Sequence, residues 1–304
     1  MSARFAALVA QIEGVQRQAI APSSASTYSR CFECYKKEMM QDLETEPMPV
    51  TLEKIQAYLI FKKEQGRTFS TLSNYICAFS NHFRQIDEPN LTLSIEFKKF
   101  KGGLKRLMEG ARFPNQKEPF KREWFNLLAE RMDLSTFDDR LFFFAITLAY
   151  HFFMRVSEIL SLRPIDVVID RAQAVMSIHF WKTKTDQFAT GTTSFLELHD
   201  DDISCPVHYA DVLAYLDPNQ PIFSITDQAL NSRLRSRLAL IGVENVHEYS
   251  FHSFRRGGAY HASERGVQDC VIKKHGRWLS DAYMRYVRVD AIRAGREIAA
   301  ALAG

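Results

Sequence analysis

The stretch HSFRRGGAYHASERGVQDCVIKKHGRWLSDAYMRYVR, residues 252–288, gathers three histidines, six arginines, two lysines, a tryptophan and three tyrosines. Surface helices usually scatter such residues. Concentrated like this, they make either a basic face that holds an anion or a site that does chemistry on one. His252 and Arg255 stand one helical turn apart, so their side chains leave the helix together. Imidazole and guanidinium suit the oxygens of a phosphate. Ser250 is the expected helix cap, which places His252 in the first turn, where backbone N–H groups also favour an anion. Further on, Trp278 offers an indole N–H, and Tyr283 and Tyr286, three apart, share a helix face. Phenols at that spacing are ordinarily packing or rim residues. Beside several cations, one of them can instead attack phosphorus and form a phosphodiester with the protein.

The chain has 304 residues, room for one large or two ordinary domains. Apolar residues make up 46% and charged residues 25%, the balance of an ordinary globular protein, and 23 phenylalanines can fill sizeable cores. The longest apolar run, LFFFAITLAYHFF (141–153), is too short to span a bilayer and is followed at once by Arg155 and Glu158. It is expected to be a buried core helix, and no membrane partner is expected. The opening MSARFAALVAQIEG lacks the continuous apolar stretch of a signal peptide. Five cysteines without framework spacing suit a reducing compartment. Cys31 and Cys34 form a CxxC, but no second such pair completes a zinc site, and the nine histidines form no HxxxH or HExxH. No metal is expected.

Net charge is only +3, and its distribution says more. Lys98, Lys99, Lys101, Lys105, Arg106, Arg112, Lys117, Lys121 and Arg122 face only Glu109 and Glu118 within 98–122. Residues 250–304 hold ten Lys/Arg against five Asp/Glu, and the acidic HDDD (199–202) lies between the two basic regions. Segregation of this kind fits a polyanionic partner, and it equally fits solvated helix faces.

The first third reads as helices. Ser24 is an expected cap for a helix through Met40, PMPV (47–50) breaks the chain, and Thr51 caps TLEKIQAYLIFKKEQG, which Gly66 ends. STLSNYICAFSNHFRQI and SIEFKKFKGGLKRLMEG follow, the latter weakened by Gly102 and Gly103. ARFPNQKEPF (111–120) has no periodicity. The expected division is a helical domain over 1–112, a linker over 113–120 and a second domain over 121–304. In the last, KREWFNLLAERM and the apolar helix, ending near SEILSL, precede Pro164. A β-hairpin follows over IDVVIDRAQAVMSIHFWKTKT, with a turn near Asp170 and alternating Val175, Ser177, His179 and Trp181. TTSFLEL makes a third strand. CPVHYADVLAYL, TDQALNSRLRSRLALIG, the opening stretch and DAIRAGREIAAALA read as helices. The fold class is mainly α with a small antiparallel β-sheet.

Two further groups carry chemistry. Arg155, next to so much core, must find an anion, and Glu158 lies three residues on. This is either a structural pair or a carboxylate orienting an arginine toward phosphate. Lys182 and Lys184 lie beyond the second strand, where a hairpin tip can project a proton donor into a cleft.

The ordered set R-x-S-E (155–158), K-T-K-T (182–185), H-x-x-R (252–255), G-R-W (276–278) and a C-terminal tyrosine resembles the tyrosine recombinases, the lambda integrase family. The resemblance covers the whole chain in outline and is sharpest over 155–184 and 250–288. The wording HSFRRGGA followed by GRWLSDAYMRYVR is most similar to recombinases of eukaryotic mobile elements, the DIRS and crypton types.

The resemblance implies a SAM-like helical core-binding domain ahead of an integrase-like catalytic domain. It implies that Arg155 and Arg255 clamp the scissile phosphate, that Glu158 positions Arg155, and that His252 is a hydrogen-bonding and proton-transfer group. Trp278 stands at the family's His/Trp position. Lys184, with Lys182 the alternative, stands as general acid for the 5′-hydroxyl leaving group. The family places its tyrosine nine residues after the His/Trp position. Here Tyr286 lies eight after Trp278 and Tyr283 five, so Tyr286 is the expected nucleophile. The implied reaction cleaves and rejoins DNA through a 3′-phosphotyrosyl intermediate and a Holliday junction, with no metal, ATP or small-molecule cofactor. The implied partners are double-stranded DNA and a homotetramer on two sites, with Lys98, Lys99, Lys101, Lys105, Arg106, Lys117, Lys121 and Arg122 along the DNA. A type IB topoisomerase shares this chemistry, and an inactive domesticated relative would only bind DNA. The implied location is nuclear for a eukaryotic element and otherwise cytoplasmic, at the nucleoid.

Overall fold

The computed structural model describes Arg4, Leu8, Gln11 and residues 20–109, 117–181 and 191–285. The chain divides into two compact units, Met1–Asn115 and Gln116–Gly304. The described residues are mainly α-helical with one small antiparallel sheet, as the sequence led us to expect.

The first unit is helical: α1 (Pro22–Gln41), α2 (Leu52–Glu64), α3 (Phe69–Gln85) and α4 (Ile95–Glu109). Helix α1 starts on Pro22 rather than at a Ser24 cap. Proline's fixed φ and missing N–H suit the first helical position, and they move the start three residues earlier, with Ala21 as the cap. Thr51 caps α2 as expected, its hydroxyl accepting from the Lys54 amide at 3.3 Å. The unit's core is aromatic: Tyr35 meets Tyr58 and Phe79 edge-on, with ring centroids 5.0 and 4.9 Å apart. Lys62 is buried against it and answered by Glu38 at 2.8 Å, as a buried charge requires. Helix α4 turns Phe97 and Leu104 into this core, while Lys98, Lys99, Lys101, Lys105 and Arg106 stay exposed. Gly102 and Gly103 do not interrupt it.

The second unit is built around α6 (Phe137–His151), preceded by α5 (Trp124–Arg131) and followed by α7 (Val156–Ser161). Every residue of α6 from Phe142 to Tyr150 is buried. Each such large apolar side chain contributes roughly 1.5–3 kcal/mol, so this run anchors the unit. The expected continuous helix is in fact two. Helix α6 stops at His151, Phe153 takes a left-handed φ of 47°, and the chain turns before α7. Glu158 makes the break possible by accepting the Arg155 amide at 3.0 Å, which caps the new helix.

Strands β1 (Val167–Asp170), β2 (Val175–Phe180) and β3 (Thr192–Glu197) form the sheet in the order β1-β2-β3. Ile178 pairs with both Val167 and Ser194. Asp170 makes the tight turn, its carboxylate accepting from the amides of Ala172 and Gln173 at 3.0 Å each. Met176, Ile178 and Phe180 face the core, so the alternation through Val175, Ser177 and His179 marks the opposite, half-buried face.

Residues Pro206–Tyr215 wind as a 3-10 helix opened by its proline, not as an α-helix. Helix α8 (Asp227–Leu240), α9 (His252–Glu264) and α10 (Asp269–His275) complete the unit, with a 3-10 turn at Asp281–Arg285. Helix α9 crosses α6 closely enough that a Cβ on Gly258 would lie 2.3 Å from the Tyr150 carbonyl oxygen. The expected Ser250 cap is reversed: the Ser250 amide donates back to the Ser253 hydroxyl at 3.1 Å.

The described part of the expected linker, 117–120, packs onto the second unit. The Glu118 amide donates to Glu248 O at 3.0 Å, and the Phe120 amide donates to Ser253 O at 2.9 Å. The Phe120 ring lies 4.4 Å from that of Phe254, inside the core. Burying that ring outweighs the polar character of the segment around it. Segment 290–303, read as a final helix, lies outside the described residues. No helix of the described residues is long and apolar enough to cross a membrane.

Candidate active site

The corner between α6 and α7 presents Arg155. Its backbone amide and its guanidinium both donate to Glu158, at 3.0 and 2.6 Å. Glu158 is buried, whereas Arg155 keeps 17% of its side chain exposed. The carboxylate thus faces inward and the guanidinium reaches the surface, the arrangement expected of an arginine oriented toward an outside anion.

Helix α9 brings Arg255 to the same corner. At 1% exposure it is a fully buried arginine. It donates to the Phe153 carbonyl and, at 2.6 Å, to the Gly276 carbonyl. Its guanidinium also lies 4.0 Å from the Trp278 ring centroid, a cation–π contact. Two segments distant in sequence, the turn at Phe153 and Gly276–Trp278, therefore hold one guanidinium. Gly276 is required by this packing, because a Cβ there would lie 1.7 Å from a ring carbon of Trp278.

His252 opens α9 on the exposed side. Its pKa is pulled down to about 4, first by partial burial and then by the positive charges of Arg255, Arg155 and Arg256. At neutral pH the imidazole is uncharged and can accept a proton. A phosphate beside it would raise its affinity for one. Burial pushes Glu158 up, but Arg277, the Arg155 amide, the Arg155 charge and Arg255 together hold its carboxyl below the usual range.

Sequence reasoning did not assign Arg277. It sits at a left-handed φ of 57° between Gly276 and Trp278, with its side chain buried. Its guanidinium donates to Glu158 at 2.9 Å, Phe152 O at 3.1 Å, Phe153 O at 3.4 Å, His275 O at 2.9 Å and Ser194 Oγ at 3.2 Å. It stacks 3.8 Å from the Phe180 ring centroid. Its Nε is buried with no acceptor among the described residues, an unmade bond that costs about 1–3 kcal/mol. Two signals were available in sequence: its place inside G-R-W, and its position nine residues before Tyr286, the family's own spacing.

The structure thus brings Arg155, Glu158, Arg255, His252 and Trp278 together, and adds Arg277. Tyr286, Lys184 and Lys182 lie outside the described residues. Tyr283 is buried against Trp278, and its hydroxyl donates to Asp269 at 3.3 Å. Of the cations expected along DNA in this unit, Lys117 donates to His247 O at 2.7 Å and Arg122 pairs with Asp202, while Lys121 is exposed. Among the described residues no group of His, Cys, Asp and Glu could hold a metal ion.

The model of the phage integrase family matches residues 126–292, more than half of the chain, and the chain belongs to that family. No curated protein matches it in sequence. Among solved structures it is similar to the XerH site-specific recombinase bound to its palindromic difH substrate after cleavage (TM-score 0.64, 16% identity, covering 90% of this chain and 78% of that one). It is similar to the Tn1549 transposon integrase in complex with transposon right end DNA (TM-score 0.62, 12% identity, 94% and 95%). It is also similar to a lambda integrase tetramer bound to a Holliday junction (TM-score 0.61, 12% identity, 88% and 72%). The fold is therefore that of the tyrosine recombinases.

Proposed function

We propose that the chain is a site-specific DNA recombinase that cleaves and rejoins strands through a 3′-phosphotyrosyl intermediate. The observation that carries this reading is the convergence of Arg155 and Arg255 on one corner, with His252 and Trp278 beside them. Two guanidiniums at one point match the charge that builds on phosphorus as a nucleophile enters. Tyr286 attacks, the 5′-hydroxyl leaves with a proton from Lys184, or from Lys182, and a 5′-hydroxyl from a second strand reverses the step. The bond energy stays in the protein–DNA link, so ATP is not needed, and the proposed reaction uses no metal. Double-stranded DNA is the partner. The exposed lysines of α4 with Arg106, and Lys117, Lys121 and Arg122, contribute phosphate contacts. Assembly as a tetramer on two sites follows by analogy with the lambda integrase tetramer on a Holliday junction. The wording HSFRRGGA followed by GRWLSDAYMRYVR resembles recombinases of eukaryotic mobile elements, and with that origin the location is nuclear, otherwise cytoplasmic at the nucleoid.

The test is covalent trapping. The protein is incubated in EDTA with a supercoiled plasmid carrying the DNA that flanks its own gene, then denatured and examined for protein-linked DNA. The expected result is an adduct that forms in EDTA, followed by exchange between two sites. An adduct with relaxation and no two-site product would indicate a topoisomerase. Binding with no adduct would indicate a relative that only binds DNA.

A further inference from the structure

We propose that Arg277 is a positioning residue of this site: its guanidinium fixes Glu158 and the Phe152–Phe153 turn so that Arg155 and Arg255 stand ready for one anion. The proposal rests on the recombinase reading above.

Three observations carry it. The first is charge. Arg155 and Glu158 alone form a neutral pair, and a carboxylate saturated by a single arginine would cancel the field that arginine offers outward. Arg277 shares the same carboxylate from the buried side, 2.9 Å away. The group of three then carries a net positive charge, and its exposed member is Arg155.

The second is connectivity. Phe153 O receives both Arg255 and Arg277, so the two arginines are anchored to one carbonyl in a left-handed turn. Arg277 also bonds Ser194 on β3 and stacks on Phe180 of β2. These strands flank the connection that holds Lys182 and Lys184 in sequence. One side chain therefore ties the base of that hairpin to the corner that presents Arg155.

The third is residue type. Five acceptors on four chain segments need a planar fork with several N–H donors. A lysine ammonium supplies the charge but not the reach. Such a set of long-range bonds, at a backbone conformation that non-glycine residues rarely adopt, is what an over-determined functional position requires.

The experiment compares the full chain with Arg277→Lys and Arg277→Met, after circular dichroism and thermal melting have established the folded fraction of each. One arm measures the rate of covalent adduct formation on the supercoiled plasmid described above, and binding of that plasmid. The other measures the inorganic phosphate concentration needed for half-maximal thermal stabilisation. Both variants should bind plasmid within about threefold of the parent protein, because most phosphate contacts lie elsewhere. Both should form adduct on the order of 10- to 100-fold more slowly, the usual effect of losing a partner that orients a site residue. Both should also need more phosphate. Adduct rates equal to the parent's, once corrected for folded fraction, overturn the proposal. If the parent protein forms no adduct, the recombinase reading falls, and the phosphate arm decides Arg277 separately. A higher phosphate requirement in both variants then supports it. Equal requirements, or no stabilisation of the parent, overturn it.

Discussion

Glu158 is held between two arginines, Arg155 at 2.6 Å and Arg277 at 2.9 Å, the second arriving from 119 residues further along the chain. Both the carboxylate and the Arg277 guanidinium are almost fully buried. A buried ion pair of this kind adds little relative to an apolar substitute of equal shape. Breaking it from one side is expensive, because the remaining charge stays in a medium that solvates it poorly.

Glu158→Ala is therefore expected to lower the free energy of unfolding by about 3–5 kcal/mol. Urea titration at neutral pH measures it. A loss below about 1 kcal/mol, the scale of a surface pair, would mean that Arg277 finds other compensation.

Arg155 and Arg255 should separate into two phenotypes. Each alanine variant is expected to reduce covalent cleavage by about 10²- to 10³-fold, the scale for loss of one donor to a transition-state oxyanion. Arg155→Ala should keep its melting temperature, because Arg155 is partly exposed and makes its bonds to the adjacent Glu158. Arg255→Ala should melt lower, because the buried Gly276 carbonyl loses its side-chain donor and the Phe153 carbonyl keeps only the 3.4 Å bond from Arg277. Equal melting losses with unchanged cleavage in folded protein would return both arginines to a purely structural role.

The two tyrosines near the end of the site should behave differently. Tyr286→Phe is expected to abolish the adduct while plasmid binding persists. Tyr283→Phe should retain the adduct and melt only slightly lower, since its hydroxyl makes one 3.3 Å bond to Asp269 and its ring packs on Trp278. Adduct lost only in Tyr283→Phe would reassign the nucleophile.

Stability should depend on pH in two windows. His151 and His252 are both pulled down to about 4, His151 chiefly by burial. A histidine whose folded pKa lies below its unfolded value takes up protons preferentially when unfolded. Stability is therefore full above about pH 6.5 and falls as pH drops toward 4. Burial raises Glu158 less than its arginine neighbours lower it, so its contribution is lost only further down, as pH falls through its depressed folded pKa. Urea unfolding between pH 7 and pH 4 tests the first window, and His151→Gln should flatten it. A profile unchanged by that substitution would show that His151 does not titrate as its environment implies.

Much of the site was legible locally. His252 and Arg255 lie three residues apart within one helix, and Arg155 and Glu158 meet at the same spacing, though through the cap of α7 rather than on a shared helix face. The corner that presents Arg155 was not legible. An unbroken apolar run reads as one helix, and nothing in its periodicity announces that Phe153 turns left-handed or that Glu158 caps a second helix. The Ser250 cap failed for a similar reason. Two serines three apart can cap in either sense, and tertiary packing chose Ser253. Phe120, within a polar proline-containing segment, looked like linker until the ring found the Phe254 core.

By itself the sequence determined the fold class, the helix faces and the set of cationic residues that mark the family. Those features depend on spacing within a few turns of chain, where 3.6-residue and two-residue periods act directly. The tertiary structure alone decided that Arg277 joins the Glu158 pair, that Trp278 lies over Arg255, and that Phe153 offers one carbonyl to two arginines. These contacts link residues about twenty to more than a hundred positions apart. Only packing in three dimensions, which removes those charges from water and makes each need a partner, brings them into contact.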